Sequence, residues 1–480
     1  MRTFILVAFV IVLLLCAVQS KKNKVKKKIA RAVKIPADKK SEFEANSAGL
    51  KRLAKMQQEL LGAKQTDEVF NYDNYDGKLM RSPFLFQGDV MLTDSQIEDT
   101  ISEVTKQVTA KKVTVNKKGT RKAVRGKAKG RGRRSILSSM YYKWEMPIPY
   151  YIQSGNASNI DIALAGIQKE TCITFKRSPT VLKTSGLNFY KGEGCWSFLG
   201  RVYPAKPQEV SLGTGCEHNG VIQHEVSHAL GLEHEQSRPD RDSYISVDPK
   251  NVLAGMESQF TKSTVTNVRD FSLSYNFGSV MHYDTFAFSK NQNKTMTAKM
   301  DVYENTMGQY NALVFSDIKI LNYHYCNDTC SIKIMGCQNG GYQNPKACDS
   351  CRCPSGFGGL LCDKVNRTSS NCGKLDLKAT KNVQTLSKSG NSNCYWRITA
   401  DPGMKIKVTI QSAKLTFWFP CWTGYGLEVK FRKDLAVSGA MFCGTTKNKS
   451  MTSESNVVVI HYPGGSTIFH FKLTYQQVPA

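Results

Sequence analysis

An unbroken apolar run from Phe4 to Val18 follows Arg2 and gives way to polar Gln19 and charged Lys21. It is shorter than the roughly 20 residues that span a bilayer, and its basic start fits a secretory signal peptide over 1–20. No later stretch is apolar enough to span, so no membrane span is expected in the mature protein. Helical spacing recurs from Ala48 to Leu61, from Ile160 to Lys169 behind a cap at Asn159, and from Val221 to Leu232. Ile148 to Ile152 reads as a strand. From Cys372 to Gln476 apolar and polar residues alternate in short runs, such as Lys405 to Ile410 and Val457 to Ile460, which predicts an antiparallel β-sandwich. Between these regions six cysteines fall in the 33 residues from Cys330 to Cys362. So short a piece builds no core of its own, and disulfides must stand in for one.

A chain of 480 residues exceeds one hydrophobic core and divides into several domains. Removal of Cys16 with the signal leaves fourteen of the 15 cysteines, enough for seven bridges in an oxidising compartment. The formal charge of +27 invites a nucleic-acid reading, but its distribution opposes one: residues 21–134 hold 29 Lys and Arg against 13 Asp and Glu, a net +16. Thirteen of those bases, with no acid, lie between Lys106 and Arg134. Such a run repels itself and reads as a solvated linker, so no nucleic-acid partner is expected. It ends in Arg131-Gly132-Arg133-Arg134, a stretch of the kind secretory-pathway convertases cut. A processing protease acting after Arg134 would make 21–134 a propeptide and Ser135 the mature N-terminus.

The chemistry concentrates in His224-Glu225-Val226-Ser227-His228-Ala229-Leu230-Gly231-Leu232-Glu233-His234. On a helix His224 and His228 stand about 40° apart, so both imidazoles reach one ion, with Glu225 beside it to move protons. Were the helix to continue, His234 would point about 240° away. Gly231 is the residue able to end the helix in a left-handed conformation and bring His234 round as third ligand. Three protein ligands leave one position open, as in a catalytic zinc site.

The chain resembles the astacin family of metzincin endopeptidases. The likeness continues through Glu235-Gln236-Ser237-Arg238-Pro239-Asp240-Arg241-Asp242, similar to the family's extended zinc signature, and through Ser279-Val280-Met281-His282-Tyr283, similar to its Met-turn. It implies one Zn2+ per catalytic domain in the central cleft of a two-lobed α+β metzincin fold over 135–326. It further implies that Met281 lies beneath the metal, that Tyr283 is a mobile ligand that steadies the oxyanion, and that Glu235 receives the freed amino terminus. Ser135 lies nine residues before Trp144, similar to the family's spacing. Phe86-Gln87-Gly88-Asp89 resembles the propeptide element whose aspartate, here Asp89, occupies the fourth zinc position. Gly194 to Arg201 looks like the edge strand that aligns substrate, which assigns that role to Cys195, Trp196, Ser197 and Phe198. The resemblance pairs Cys172 with Cys326 and Cys195 with Cys216.

Residues 327–363 resemble an EGF-like module, with Cys330–Cys348, Cys337–Cys351 and Cys353–Cys362 implied, and 372–477 an all-β CUB sandwich, with Cys372–Cys394 and Cys421–Cys443. Nothing acidic of the calcium-binding type precedes Cys330, and Cys421 to Glu428 lacks the aspartate of calcium-binding CUB domains, so no calcium is expected. The order of modules looks like that of nematode astacins. Sequons begin at Asn156, Asn293, Asn327, Asn366 and Asn448. The whole reads as a secreted, extracellular endopeptidase acting on extracellular proteins, with cuticle or matrix remodelling, moulting, hatching or tissue penetration as its setting. The competing reading is a non-catalytic adhesion protein built on the EGF-like and CUB modules. Intact ligands and base speak against it, since a binding scaffold needs neither.

Overall fold

The computed structural model describes residues 49–53, 56, 81–82, 85–116, 136–137, 142–192, 194–263, 268–269 and 271–480. The signal segment, the stretch Arg131 to Arg134 and Ser135 lie outside the described residues. So does most of the helix expected at 48–61, of which 49–53 and 56 are helical. Among the described residues no helix is long and apolar enough to cross a membrane.

The first domain is organised by a six-stranded sheet in the order Val90–Met91, Cys195–Phe198, Pro207–Leu212, Gly186–Tyr190, Ile148–Ile152, Phe175–Arg177. Only Cys195–Phe198 against Pro207–Leu212 is antiparallel. The helices Ala157–Glu170 and Asn219–Ala229 share one core with this sheet, through Ile160, Leu164 and Ile167 on the first and Val221, Ile222 and Val226 on the second. Burying each such side chain contributes about 1.5–3 kcal/mol. The first helix begins three residues earlier than its apolar spacing suggests. Asn156, not Asn159, is the cap: its side chain accepts the Asn159 amide at 3.2 Å, while Asn159 Nδ2 turns to Glu217 O at 2.8 Å. The extra turn is Ala157-Ser158-Asn159, which carries no apolar signal.

Beyond the second helix the chain forms turns, a small pairing of Ile245–Val247 with Met296–Ala298, and the helix Phe315–Tyr325. Disulfides join Cys172 to Cys326 and Cys195 to Cys216 in this domain. The short module after it is held by Cys330–Cys348, Cys337–Cys351 and Cys353–Cys362 around the hairpin Tyr342–Asn344 and Ala347–Arg352. The last domain is a β-sandwich of a five-stranded and a four-stranded sheet, with bridges Cys372–Cys394 and Cys421–Cys443. Its strand Cys394–Thr399 alternates buried and half-buried positions, as a strand with one face on a core must.

The sandwich does not hang free. One apolar cluster runs from Ile245, Tyr275, Phe277 and Tyr303 of the first domain into Val429, Phe431 and Ala440 of the sandwich. Buried polar contacts reinforce it. The Arg432 guanidinium donates to Tyr275 O at 2.5 Å and lies 5.2 Å from the centre of the Tyr244 ring, and Ser438 N donates to Asn276 Oδ1 at 3.2 Å. The five sequon asparagines are all exposed.

Candidate metal centre

The helix Asn219–Ala229 is buried at every position from Gly220 onward, which fixes the two histidines one turn apart on it. It ends sooner than Leu232: Leu230 is the cap, and Gly231 adopts φ +98, which a side chain would strain. The Gly231 and Leu232 amides return to His228 O and Ser227 O at 2.8 and 2.9 Å, reversing the chain. His234 then enters in extended backbone, and its ring stands 5.2 Å from that of His224 and 4.7 Å from that of His228.

Each imidazole is oriented through Nδ1. His224 Nδ1 meets Val280 O and His228 Nδ1 meets Leu232 O, both at 2.8 Å, and His234 Nδ1 meets Gln87 Oε1 at 2.9 Å. A carbonyl oxygen only accepts, so Nδ1 carries the proton and Nε2 presents a lone pair. All three Nε2 atoms face the Asp89 carboxylate, at 3.3 Å for His224 and His234 and 3.5 Å for His228. The four ligating atoms lie within 4.8 Å of one another, and every residue is buried. Burial lowers the pKa of His224 and brings that of His234 down to about 4, which keeps those two rings neutral. Three lone pairs and a carboxylate thus converge with no donor among them; the Nε2 atoms of His224 and His228 and Asp89 Oδ1 have no hydrogen-bond partner. A cation reconciles such a set, and three imidazoles with one carboxylate oxygen suit zinc.

Asp89 reaches the centre at the tip of a tight turn. Phe86 and Val90 exchange amide-to-carbonyl bonds at 3.0 Å in both directions, and Gln87 and Gly88 take φ +48 and +81 between them. The chain on either side is tied down. Gln259 Nε2 holds Leu85 O at 3.1 Å, Arg81 pairs with Asp284, and Val90–Met91 adds in parallel to Cys195–Phe198. That strand, expected to offer a free edge, is therefore covered in the full chain: Cys195, Trp196, Ser197 and Phe198 are all buried, and Ser197 N donates to Asp89 O at 3.0 Å. The helix Asp94–Asn116 continues this cover, packing Ile97 and Ile101 with Leu199.

Glu225 is fully buried, with neither carboxylate oxygen bonded. Burial first, and then the Asp89 charge, raise its pKa well above the ordinary carboxylate value. Met281 is buried in the turn that supplies Val280 O to His224, and its own carbonyl accepts Glu235 N at 2.9 Å. Tyr283 stacks obliquely on His234, ring centres 4.9 Å apart, and donates its hydroxyl to Gln87 O. Glu235 accepts from Asn276 N at 2.7 Å and Arg238 Nη1 at 3.1 Å, and burial pushes its pKa up to about 7. Its expected amino-terminal partner lies outside the described residues, but Ile136, the next residue, is already buried and bridged to Leu232.

Sequence reasoning missed three residues that complete this centre. Gln87 bonds His234 and Tyr283. Asp317 accepts the Ser279 hydroxyl at 2.7 Å and the Val280 amide at 3.1 Å, and so fixes the carbonyl that His224 uses. Asn276 ties Gly278 N and Ser438 N to one oxygen. Only Gln87 carried a signal, its place inside the Phe86-to-Asp89 motif.

Comparison with known proteins finds relatives over most of the chain. The family model of the astacin peptidases matches residues 137–326, and that of the CUB domain matches 376–475. Zinc metalloproteinase nas-34 of Caenorhabditis elegans is 39% identical over 436 residues, 89% of this chain and 70% of that protein. Zinc metalloproteinase nas-36 of Brugia malayi is 35% identical over 428 residues, covering 83% of this chain and 71% of its own length. Among solved structures, high choriolytic enzyme 1, a hatching enzyme zinc-protease of the medaka Oryzias latipes, is 33% identical over 37% of this chain and 88% of its own, with a TM-score of 0.34.

Proposed function

Given that the chain belongs to the astacin family of zinc metalloendopeptidases, we propose that it is a secreted endopeptidase of extracellular proteins, made as a precursor that Asp89 keeps silent. In this reading His224, His228 and His234 are the zinc ligands, Glu225 is the general base, and Tyr283 steadies the oxyanion. The observation that carries it is the convergence of three imidazole lone pairs on one buried carboxylate.

Zinc, when bound, supplies a Lewis acid that polarises a peptide carbonyl and acidifies water. The remaining work falls to the chain. While the propeptide is in place, Asp89 fills the position facing all three histidines, and Val90–Met91 occupies the strand edge. Cleavage after Arg134 frees both. The vacated edge of Cys195–Phe198 then accepts an extended substrate by main-chain hydrogen bonds, a mode that suits protein substrates of varied sequence. Glu225 loses the neighbouring Asp89 charge but stays buried, which leaves a base poised to take a proton from water and return it to the leaving amine. The Tyr283 hydroxyl, released from Gln87 O, turns to the developing oxyanion.

Fourteen cysteines in seven disulfides suit an oxidising, extracellular setting. The Cys330-to-Cys362 module is assigned as EGF-like and the exposed sequons as glycosylated. Cuticle or matrix remodelling, moulting, hatching or tissue penetration is the proposed setting. Protein cut after Arg134 should contain one zinc per chain and digest casein or gelatin, lose that activity to a chelator, and regain it with zinc. A Glu225→Gln form should keep the zinc and lose the activity. Full proteolysis by that variant, or zinc-free active protein, would overturn the reading.

A further inference from the structure

The three imidazoles differ in what holds them from behind. Val280 O and Leu232 O, the partners of His224 and His228, belong to the protease domain and stay with it. The partner of His234 is a side-chain oxygen of Gln87, 147 positions earlier and on the far side of the Arg134 processing point. The orientation of that amide is determined. Thr261 O, which only accepts, lies 3.1 Å from Gln87 Nε2, so Oε1 must face His234, and Nδ1 must carry the proton that leaves Nε2 free to ligate. Gln87 is itself immobilised: its side chain is buried, its carbonyl accepts the Tyr283 hydroxyl, and its backbone is held at φ +48, a region a non-glycine residue adopts when its surroundings impose it.

We propose that Gln87 is a positioning residue for the metal: it fixes the tautomer and ring orientation of His234, so that the precursor binds zinc more tightly and the ion is loaded before the propeptide leaves. The inference rests on the zinc site proposed above. It gives the propeptide a second task, the reverse of silencing. Asp89 blocks the finished centre, whereas Gln87 assembles it. Outer partners of ligating histidines are worth about 10–100-fold in metal affinity, and this one departs on processing.

The test uses full-length precursor made uncleavable by Arg133→Ala and Arg134→Ala, with zinc affinity read by chelator competition. Gln87→Leu matches the side chain in size and lacks the acceptor; it should bind zinc about 10–100-fold more weakly. Gln87→Met, unbranched, is a second apolar variant with the same expected loss. Gln87→Glu keeps an oxygen toward His234 Nδ1 but cannot donate to Thr261 O, and should bind within about threefold of the unaltered precursor or tighter. If Gln87 merely anchored the propeptide, Leu and Glu would behave alike, since both lose the Thr261 bond; that result overturns the proposal, as does equal affinity in all forms. Mature enzyme released from a cleavable Q87L precursor has the native sequence and, once saturated with added zinc, should show native kcat/KM, which separates a metal effect from misfolding. A precursor without stoichiometric zinc in any form would sink the metal reading itself.

Discussion

Replacing Tyr283 with phenylalanine separates two tasks of one hydroxyl. In the precursor the side chain is buried and the hydroxyl donates to Gln87 O, at the turn that carries Asp89. Phenylalanine leaves that buried carbonyl without this donor, a loss of about 1–1.5 kcal/mol. At 1.4 kcal/mol per decade this multiplies the open fraction of the turn by about five- to tenfold. The Phe86 and Val90 amides, bonded across the turn at 3.0 Å each, report that opening: their hydrogen exchange in uncleavable precursor should quicken by the same factor. Exchange at Val458, in a central strand of the sandwich, should not change. On the mechanism proposed above, the hydroxyl in enzyme cut after Arg134 faces a developing oxyanion, where one donor is worth about 2.7–4 kcal/mol, so kcat should fall about 10²- to 10³-fold with KM little altered and zinc retained. A kcat within threefold of the native value would refute the oxyanion role. Unaltered exchange at Phe86 and Val90 would refute the latch.

Asp89→Ala in uncleavable precursor should expose basal activity on a short peptide where the parent shows none; a silent variant would mean that the turn blocks the site without its carboxylate. Asn276→Ala should orphan two buried amides, Gly278 N and Ser438 N, and lose the 2.7 Å bond to Ser316 Oγ, lowering stability by about 2–4 kcal/mol in denaturant unfolding of the mature protein. Asp317 gives a pH test. Burial raises its pKa to about 6 from 3.8, so the folded state favours the protonated form, and the associated stability, complete below about pH 4, is lost as pH rises through 6. At about 1.4 kcal/mol per unit, the stability advantage of the native protein over Asp317→Asn should shrink by about 2 kcal/mol between pH 4 and pH 7. A difference independent of pH would contradict this assignment.

What could be seen in the sequence was what repeats or what lies close along the chain. Ile148–Ile152, the two helices and the alternation in Cys394–Thr399 follow from the period of apolar residues, and the His224-to-His234 spacing needs only one helix and one turn. What could not be seen depends on partners far away. Asn276 acts through an amide 162 residues later and Gln87 through a ring 147 residues later, and neither pairing leaves a trace in local pattern. The cap at Asn156 was hidden for another reason: two asparagines stand within one turn, and apolar spacing favours the later one. The strand at Cys195 was legible, but not its cover, because Val90–Met91 is too short to announce itself.

The apolar cluster that crosses from Tyr275, Phe277 and Tyr303 into Val429, Phe431 and Ala440 bears on where this molecule can be divided. A fragment ending at Cys326 would turn those rings toward water and strip the cover from the stretch that leads into the Met281 turn. Protease and sandwich are then expected to fold, and to be expressed, as one unit. A substitution that unfolds the sandwich should therefore cost the peptidase domain stability as well.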